Sequence, residues 1–203
     1  MTSTATPTVM MDKLAEAAWA QLADMSPRAL HIDEIAAAAG IAPSAARAVS
    51  GSITALILHQ LARLDRQAIL ESLADIEDAG EVPVRDKIME ALMHRFEVYA
   101  PYRAQMIQLE AAARRDPVLG LRLVESLLQA TRMLLRMAGD DLVGFRGEAR
   151  VRGVTGLAMV VARVWRTDDT PDLSMTLKEI DKRLAMAEDC LLYTSDAADE
   201  RNS

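Results

Sequence analysis

The sequence predicts an all-α protein of about nine helices, a small N-terminal helix-turn-helix bundle followed by a larger helical domain. Three observations predict it. Alanine, leucine and methionine, strong helix formers, dominate a chain with only 3% aromatics, and the β-branched and aromatic runs that strands favour are nearly absent. Apolar residues recur at the three- and four-residue spacing of one helix face. Gly and Pro then cut the chain into three short segments and six longer ones.

Each element follows from local signals. Asp12–Met25 carries Leu14, Ala17, Ala18, Leu22 and Met25 at helical spacing, and Ser26-Pro27 ends it. His31–Gly40 has acids in its first turn and Gly at its end. Ile41-Ala42 form a turn, and Pro43–Ser50 is a second short helix with Pro at an early position. Gly51-Ser52 break it. Ile53–Asp78 is long, about seven turns at 3.6 residues each, and Ala79-Gly80 closes it. Val84–Tyr99 places Ile88, Leu92, Phe96 and Tyr99 on one face. Tyr102–Arg114, Pro117–Ala138, Gly147–Arg166 and Leu173–Asp189 follow, separated by Asp116-Pro117, Gly139-Asp-Asp and Asp168–Asp172. The expected domains are a disordered tail at 1–9, the helix-turn-helix domain at 10–55 and a helical ligand-binding and dimerisation domain at 56–189.

Composition narrows the function. The 203 residues suffice for a core without disulfides or metals. A net charge of −7 opposes general nucleic-acid binding, because phosphate contacts need Lys and Arg. Residues 1–9 have no basic region before an apolar one, so they are no signal peptide, and no stretch approaches the ~18 apolar residues of a spanning helix. The expectation is a cytoplasmic protein with no transmembrane segment. The only cysteine, Cys190, opens the run Cys-Leu-Leu-Tyr-Thr-Ser-Asp-Ala-Ala-Asp-Glu200, which resembles translated read-through of a transposase sequencing adapter. Residues 190–203 are therefore expected to be an artefact tail, and −2 of the net charge resides there, from Asp196, Asp199 and Glu200 against Arg201.

Two short helices joined by a tight Gly turn after a supporting helix make the helix-turn-helix pattern. Ile35, Ala36 and Ala39 allow a close crossing, and Ile41 plugs the corner. The Ile35-Ala36 pair followed by Ala39-Gly40-Ile41 resembles the core motif of the TetR family of transcriptional regulators. That resemblance implies a homodimer that binds operator DNA through the second short helix and a small ligand in the helical domain. The second helix offers Ser44, Ala45, Arg47 and Ala48 to a major groove. Arg47 suits guanine or phosphate, and Ser44 suits phosphate. The family's usual Tyr, aromatic and Lys fall on Arg47, Ser50 and Ile53, and all three depart from it. From Met11 to Arg66 five Lys/Arg face six acids, an unusual balance for a DNA reader.

The C-terminal third carries a second resemblance. Met137–Asp140, Arg150–Trp165, Thr167–Leu173 and Thr176–Arg183 resemble the C-terminal region of the coenzyme Q (ubiquinone) biosynthesis lipid-binding family, which has the TetR fold without DNA binding. That implies an isoprenoid-binding accessory protein as the alternative function. Candidate pocket residues are Met89, Met93, Phe96, Met106, Leu127, Met133, Met137 and Trp165, apolar and adaptable side chains on the long helices. The helices Gly147–Arg166 and Leu173–Asp189 are expected to form the dimer interface through Val154, Leu157, Val161, Leu177, Ile180 and Leu184. His31, His59 and His94 show no obvious acid partners, and the spacing of His94 and Glu97 alone makes no metal site. With no Gly-rich phosphate loop, nucleophile elbow or metal-ligand cluster in the sequence, neither an enzyme nor a cofactor is expected.

Overall fold

The computed structural model describes residues 6–79 and 81–199, with side chains through residue 187 except that of Ala79. Residues 1–5 and 200–203, and the side chains of 188–199, lie outside that description, so the expectations about the tail ends fall there. The described residues hold nine α-helices: α1 (Pro7–Gln21), α2 (Ile32–Ala38), α3 (Pro43–Val49), α4 (Ile53–Ala79), α5 (Val84–Tyr99), α6 (Arg103–Ala113), α7 (Pro117–Met137), α8 (Gly144–Trp165) and α9 (Ser174–Asp199). Short 3₁₀ turns lie at Pro27–Ala29 and Ala100–Tyr102.

Four boundaries differ from the sequence reading by three residues or more. α1 starts at Pro7, inside the stretch expected to be a disordered tail, because Pro with its fixed φ suits a first helical turn. It ends at Gln21, where Leu22 caps it and the chain turns toward Ser26-Pro27. α8 starts at Gly144, three residues before Gly147. Gly147 is a close-contact residue inside the helix: a Cβ there would lie 2.3 Å from the Leu142 carbonyl carbon. α9 extends past Asp189 to Asp199.

The chain divides into two compact units that do not follow chain order. The first contains residues 1–66 and 99–127, and the second contains 67–98 and 128–203. The domain limits expected at 55 and 56 follow the sequence, whereas α4 and α7 each contribute one part to each unit.

In the first unit α1, α2 and α3 pack on one another around Leu14, Ala18, Leu22, Ile35, Ala36 and Ala46, all fully buried. Burying a side chain such as Ile35 stabilises the unit by about 1.5–3 kcal/mol. Trp19 meets Tyr102 edge-on at 5.9 Å. His59 and Arg63 of α4 reach Asp12 (2.6 Å) and Glu16 (2.8 Å) of α1. Tyr99 donates its hydroxyl to the buried Asp65 carboxylate at 3.0 Å.

In the second unit α8 packs along α9. Gly147, Val151, Thr155, Ala158, Val161 and Trp165 form the buried face of α8, spaced three and four apart as one helix stripe requires. Leu173, Thr176, Ile180 and Leu184 are buried on the α9 side. The turn between them is organised by Asp168, which is fully buried. Its carboxylate accepts the backbone N–H of Thr176 at 2.7 Å, the Thr176 hydroxyl at 2.7 Å, the backbone N–H of Thr170 at 3.2 Å and the Thr170 hydroxyl. Burial raises the Asp168 pKa, but these donors outweigh it and hold the carboxyl at about 2, well below its ordinary 3.8. The acid turn and the Thr of the last helix, read in the sequence as marks of a lipid-binding family, therefore have a structural role here.

Candidate functional site

The helix-turn-helix is built from the turn outward. α2 ends in a Schellman motif: Ile41 N–H bonds Ala36 O at 2.9 Å, and Gly40 N–H bonds Ala37 O at 3.1 Å. The motif places its C′ residue in the left-handed region, and Gly40 at φ +65° occupies it without Cβ strain. The chain then re-enters helix at Pro43, and buried Ala46 seats α3 on the bundle. The opposite side of α3 carries Ser44, Arg47 and Ala48, all exposed, with Ala45 half-buried. Ser52 opens α4 by accepting the Ala55 N–H on its hydroxyl at 3.1 Å. Ile53, where the TetR resemblance leads one to expect Lys, is half-buried and offers no charge.

Arg47 is not idle on that face. Its guanidinium bonds the Asp33 carboxylate of α2 at 2.5 Å, with both side chains more than half exposed. Arg28 similarly meets Asp116 at 3.4 Å, and Arg63 meets Glu16 and Asp12. Three of the five cations counted between Met11 and Arg66 thus face acids of the same unit. Exposed pairs of this kind contribute about 0–1 kcal/mol, so a phosphate can replace Asp33 at small cost.

The expected ligand-pocket residues divide between the units. Met106 and Leu127 belong to the first, and Met89, Met93, Phe96, Met133, Met137 and Trp165 to the second. Within the second, Phe96 and Trp165 pack at 5.7 Å, and the Trp165 indole N–H bonds the Phe96 carbonyl at 3.1 Å. That carbonyl is among the last four of α5, which have no partner within the helix, so Trp165 caps α5 from α8. Phe96, Trp165 and Met93 are buried; Met89, Met133 and Met137 are half-buried.

The residues expected at the dimer interface differ in exposure. Leu157, Val161, Ile180 and Leu184 are buried within a single chain, in the core of the second unit. Val154 is half-buried and Leu177 is exposed. The exposed side of α8 instead presents Gly153, Gly156 and Met159, and α9 exposes Met175 and Met186. Periodicity showed that α8 is apolar on most sides; it did not show which apolar side the chain keeps.

The histidines need correction. His59 contacts Asp12, and His94 lies 2.9 Å from Asp75, 3.2 Å from Glu90 and 3.6 Å from Glu97. Glu90, His94 and Glu97 are spaced four and three apart on α5, a signal legible in the sequence, whereas Asp75 arrives from α4 only through folding. A buried hydroxyl pair, Thr131 with Thr155 at 3.0 Å, joins α7 to α8 and had no sequence signal.

Comparison with known proteins gives the fold a name. A TetR transcriptional regulator from Nitrosomonas europaea superposes with a TM-score of 0.68 at 14% identity, covering 88% of this chain and 98% of its own. A TetR-family transcriptional regulator from Streptomyces coelicolor superposes with a TM-score of 0.60 at 19% identity, covering 95% of this chain and 84% of its own. The chain has the all-α TetR fold. No protein-family profile matches the sequence, and neither does any curated protein.

Proposed function

We propose that the protein is a TetR-type one-component transcriptional regulator: a cytoplasmic homodimer that binds operator DNA through α2 and α3 and is controlled by a small apolar ligand taken up between the longer helices. The observation that carries this reading is the exposed face of α3, with Ser44, Arg47 and Ala48 presented beyond a Schellman turn while Ala46 anchors the other side. A helix-turn-helix places the N-terminal residues of its second helix against base edges in just this way. Pairing of the two copies through the exposed stripe of α8 and α9 supplies two readers, which need half-sites about 34–36 Å apart.

The Arg47–Asp33 pair favours a second reading, that of a TetR-fold lipid-binding accessory protein whose helix-turn-helix no longer reads DNA. An isoprenoid would be its apolar ligand. A salt titration of binding to labelled genomic fragments separates the two. The regulator reading expects specific binding that Arg47→Ala abolishes and Asp33→Ala strengthens, with a log–log salt slope near −0.9 per neutralised phosphate. Absence of binding to any fragment at low salt, together with stabilisation by isoprenoid lipid, overturns it in favour of the second.

A further inference from the structure

We propose that His94, Asp75 and Glu90 form a binding site for a divalent transition-metal ion of the zinc class, with Glu97 as its outer orienting group. The ligand atoms lie within 4.8 Å of one another. His94 Nε2 is 2.9 Å from Asp75 Oδ2 and 3.2 Å from Glu90 Oε1. Two ligands bound at about 2.0–2.1 Å to one ion at octahedral or tetrahedral angles stand about 2.8–3.4 Å apart, so both separations suit a shared ion. A single hydrogen bond from Nε2 accounts for the contact with Asp75 but leaves the contact with Glu90 unexplained. The Nε2 atom carries at most one proton, which cannot point at two carboxylates at once.

The other ring nitrogen strengthens the assignment. His94 Nδ1 lies 3.6 Å from Glu97 Oε2, within ion-pair reach. A metal-bound imidazole carries its proton on the nitrogen away from the ion and directs it to a carboxylate, which fixes the tautomer and ring orientation. Glu97 lies on that side of the ring at 3.6 Å, just beyond hydrogen-bond distance, and would close on the Nδ1 proton when the ion is bound. The His94 side chain is only 14% exposed while the three acids are 45–61% exposed, so the imidazole is held in place and water can complete the coordination shell. One imidazole with two carboxylates is a borderline donor set, suited to zinc before manganese and to manganese before magnesium. The ion would clamp the end of α4 to α5, on either side of the connection between Ala79 and Val84.

The test is calorimetric titration of the purified full chain with ZnCl2, MnCl2 and MgCl2 near neutral pH. A Cys190→Ser background removes the one thiol that would compete for zinc. One equivalent of zinc should bind, more tightly than manganese, and manganese more tightly than magnesium. His94→Gln should abolish binding. Asp75→Asn and Glu90→Gln should each weaken it at least tenfold, and Glu97→Gln, which removes no ligand, by roughly 10–100-fold. Circular dichroism reports whether each variant keeps its helices. If His94→Gln does not, the exposed Asp75→Asn and Glu97→Gln variants decide. No zinc binding in the background protein overturns the proposal. So does zinc binding of equal strength in Asp75→Asn, Glu90→Gln and Glu97→Gln, which would put the ion elsewhere on the chain.

Discussion

Replacing Asp168 by Asn should destabilise the second unit by about 2–3 kcal/mol at neutral pH. The carboxylate is fully buried and accepts from the backbone N–H and hydroxyl of both Thr170 and Thr176. The Thr hydroxyls can rotate, but the Thr170 and Thr176 N–H groups are fixed by the turn and by the start of α9. An Asn amide turned toward either would set donor against donor. The magnitude follows from titration: a drop from 3.8 to about 2 is worth about 2.5 kcal/mol at 1.36 kcal/mol per pH unit. For a chain of this size that lowers the Tm by roughly 5–10 °C, at about 2–4 °C per kcal/mol. Because the folded pKa lies below the unfolded one, the contribution is complete above the unfolded value and is lost as pH falls through the folded value near 2. Thermal melts followed by circular dichroism should therefore show a gap between wild type and Asp168→Asn that is full at neutral pH and narrows below about pH 4. A shift under about 1 °C at neutral pH, where about 2 °C per kcal/mol is the least expected, refutes the reasoning. A gap that stays constant as the pH falls also refutes it.

Two other predictions concern packing. Gly147→Ala forces a methyl against the Leu142 backbone, 2.3 Å away, and should cost about 1–3 kcal/mol of overpacking strain, visible as a lower urea midpoint with helix content retained; an unchanged midpoint contradicts the close contact. Met159→Glu, on the exposed side of α8, should leave the fold intact and turn a dimer into a monomer in sedimentation at micromolar protein, whereas Val161→Asp should unfold the second unit by burying an unpaired charge. A folded, dimeric Met159→Glu would move the interface away from that stripe.

Much of this protein was legible before folding, because helices are local. The 3.6-residue period, Pro at first turns and Gly at ends each act over a few residues, so all nine helices could be read to within a few residues of most boundaries. Gly40 is a clear instance: a tight turn between two short helices demands the left-handed region, and glycine meets that demand most cheaply. Tertiary structure decided what depends on partners distant in sequence. Periodicity identifies an apolar stripe but not the surface it meets, and only the fold buries Leu157, Val161, Ile180 and Leu184 within the chain's own core. Gly147 reads as a helix start, yet its function is to admit the Leu142 backbone. Asp168 reads as a turn residue until Thr176, eight positions on, is seen to donate to it. Arg47 reads as a free cation until α2 brings Asp33 beside it, and Glu90, His94 and Glu97 share a face of α5 that acquires its chemistry only when α4 delivers Asp75. Hydrogen bonds and ion pairs act over about 3 Å of space, and only the fold sets which distant residues come that close.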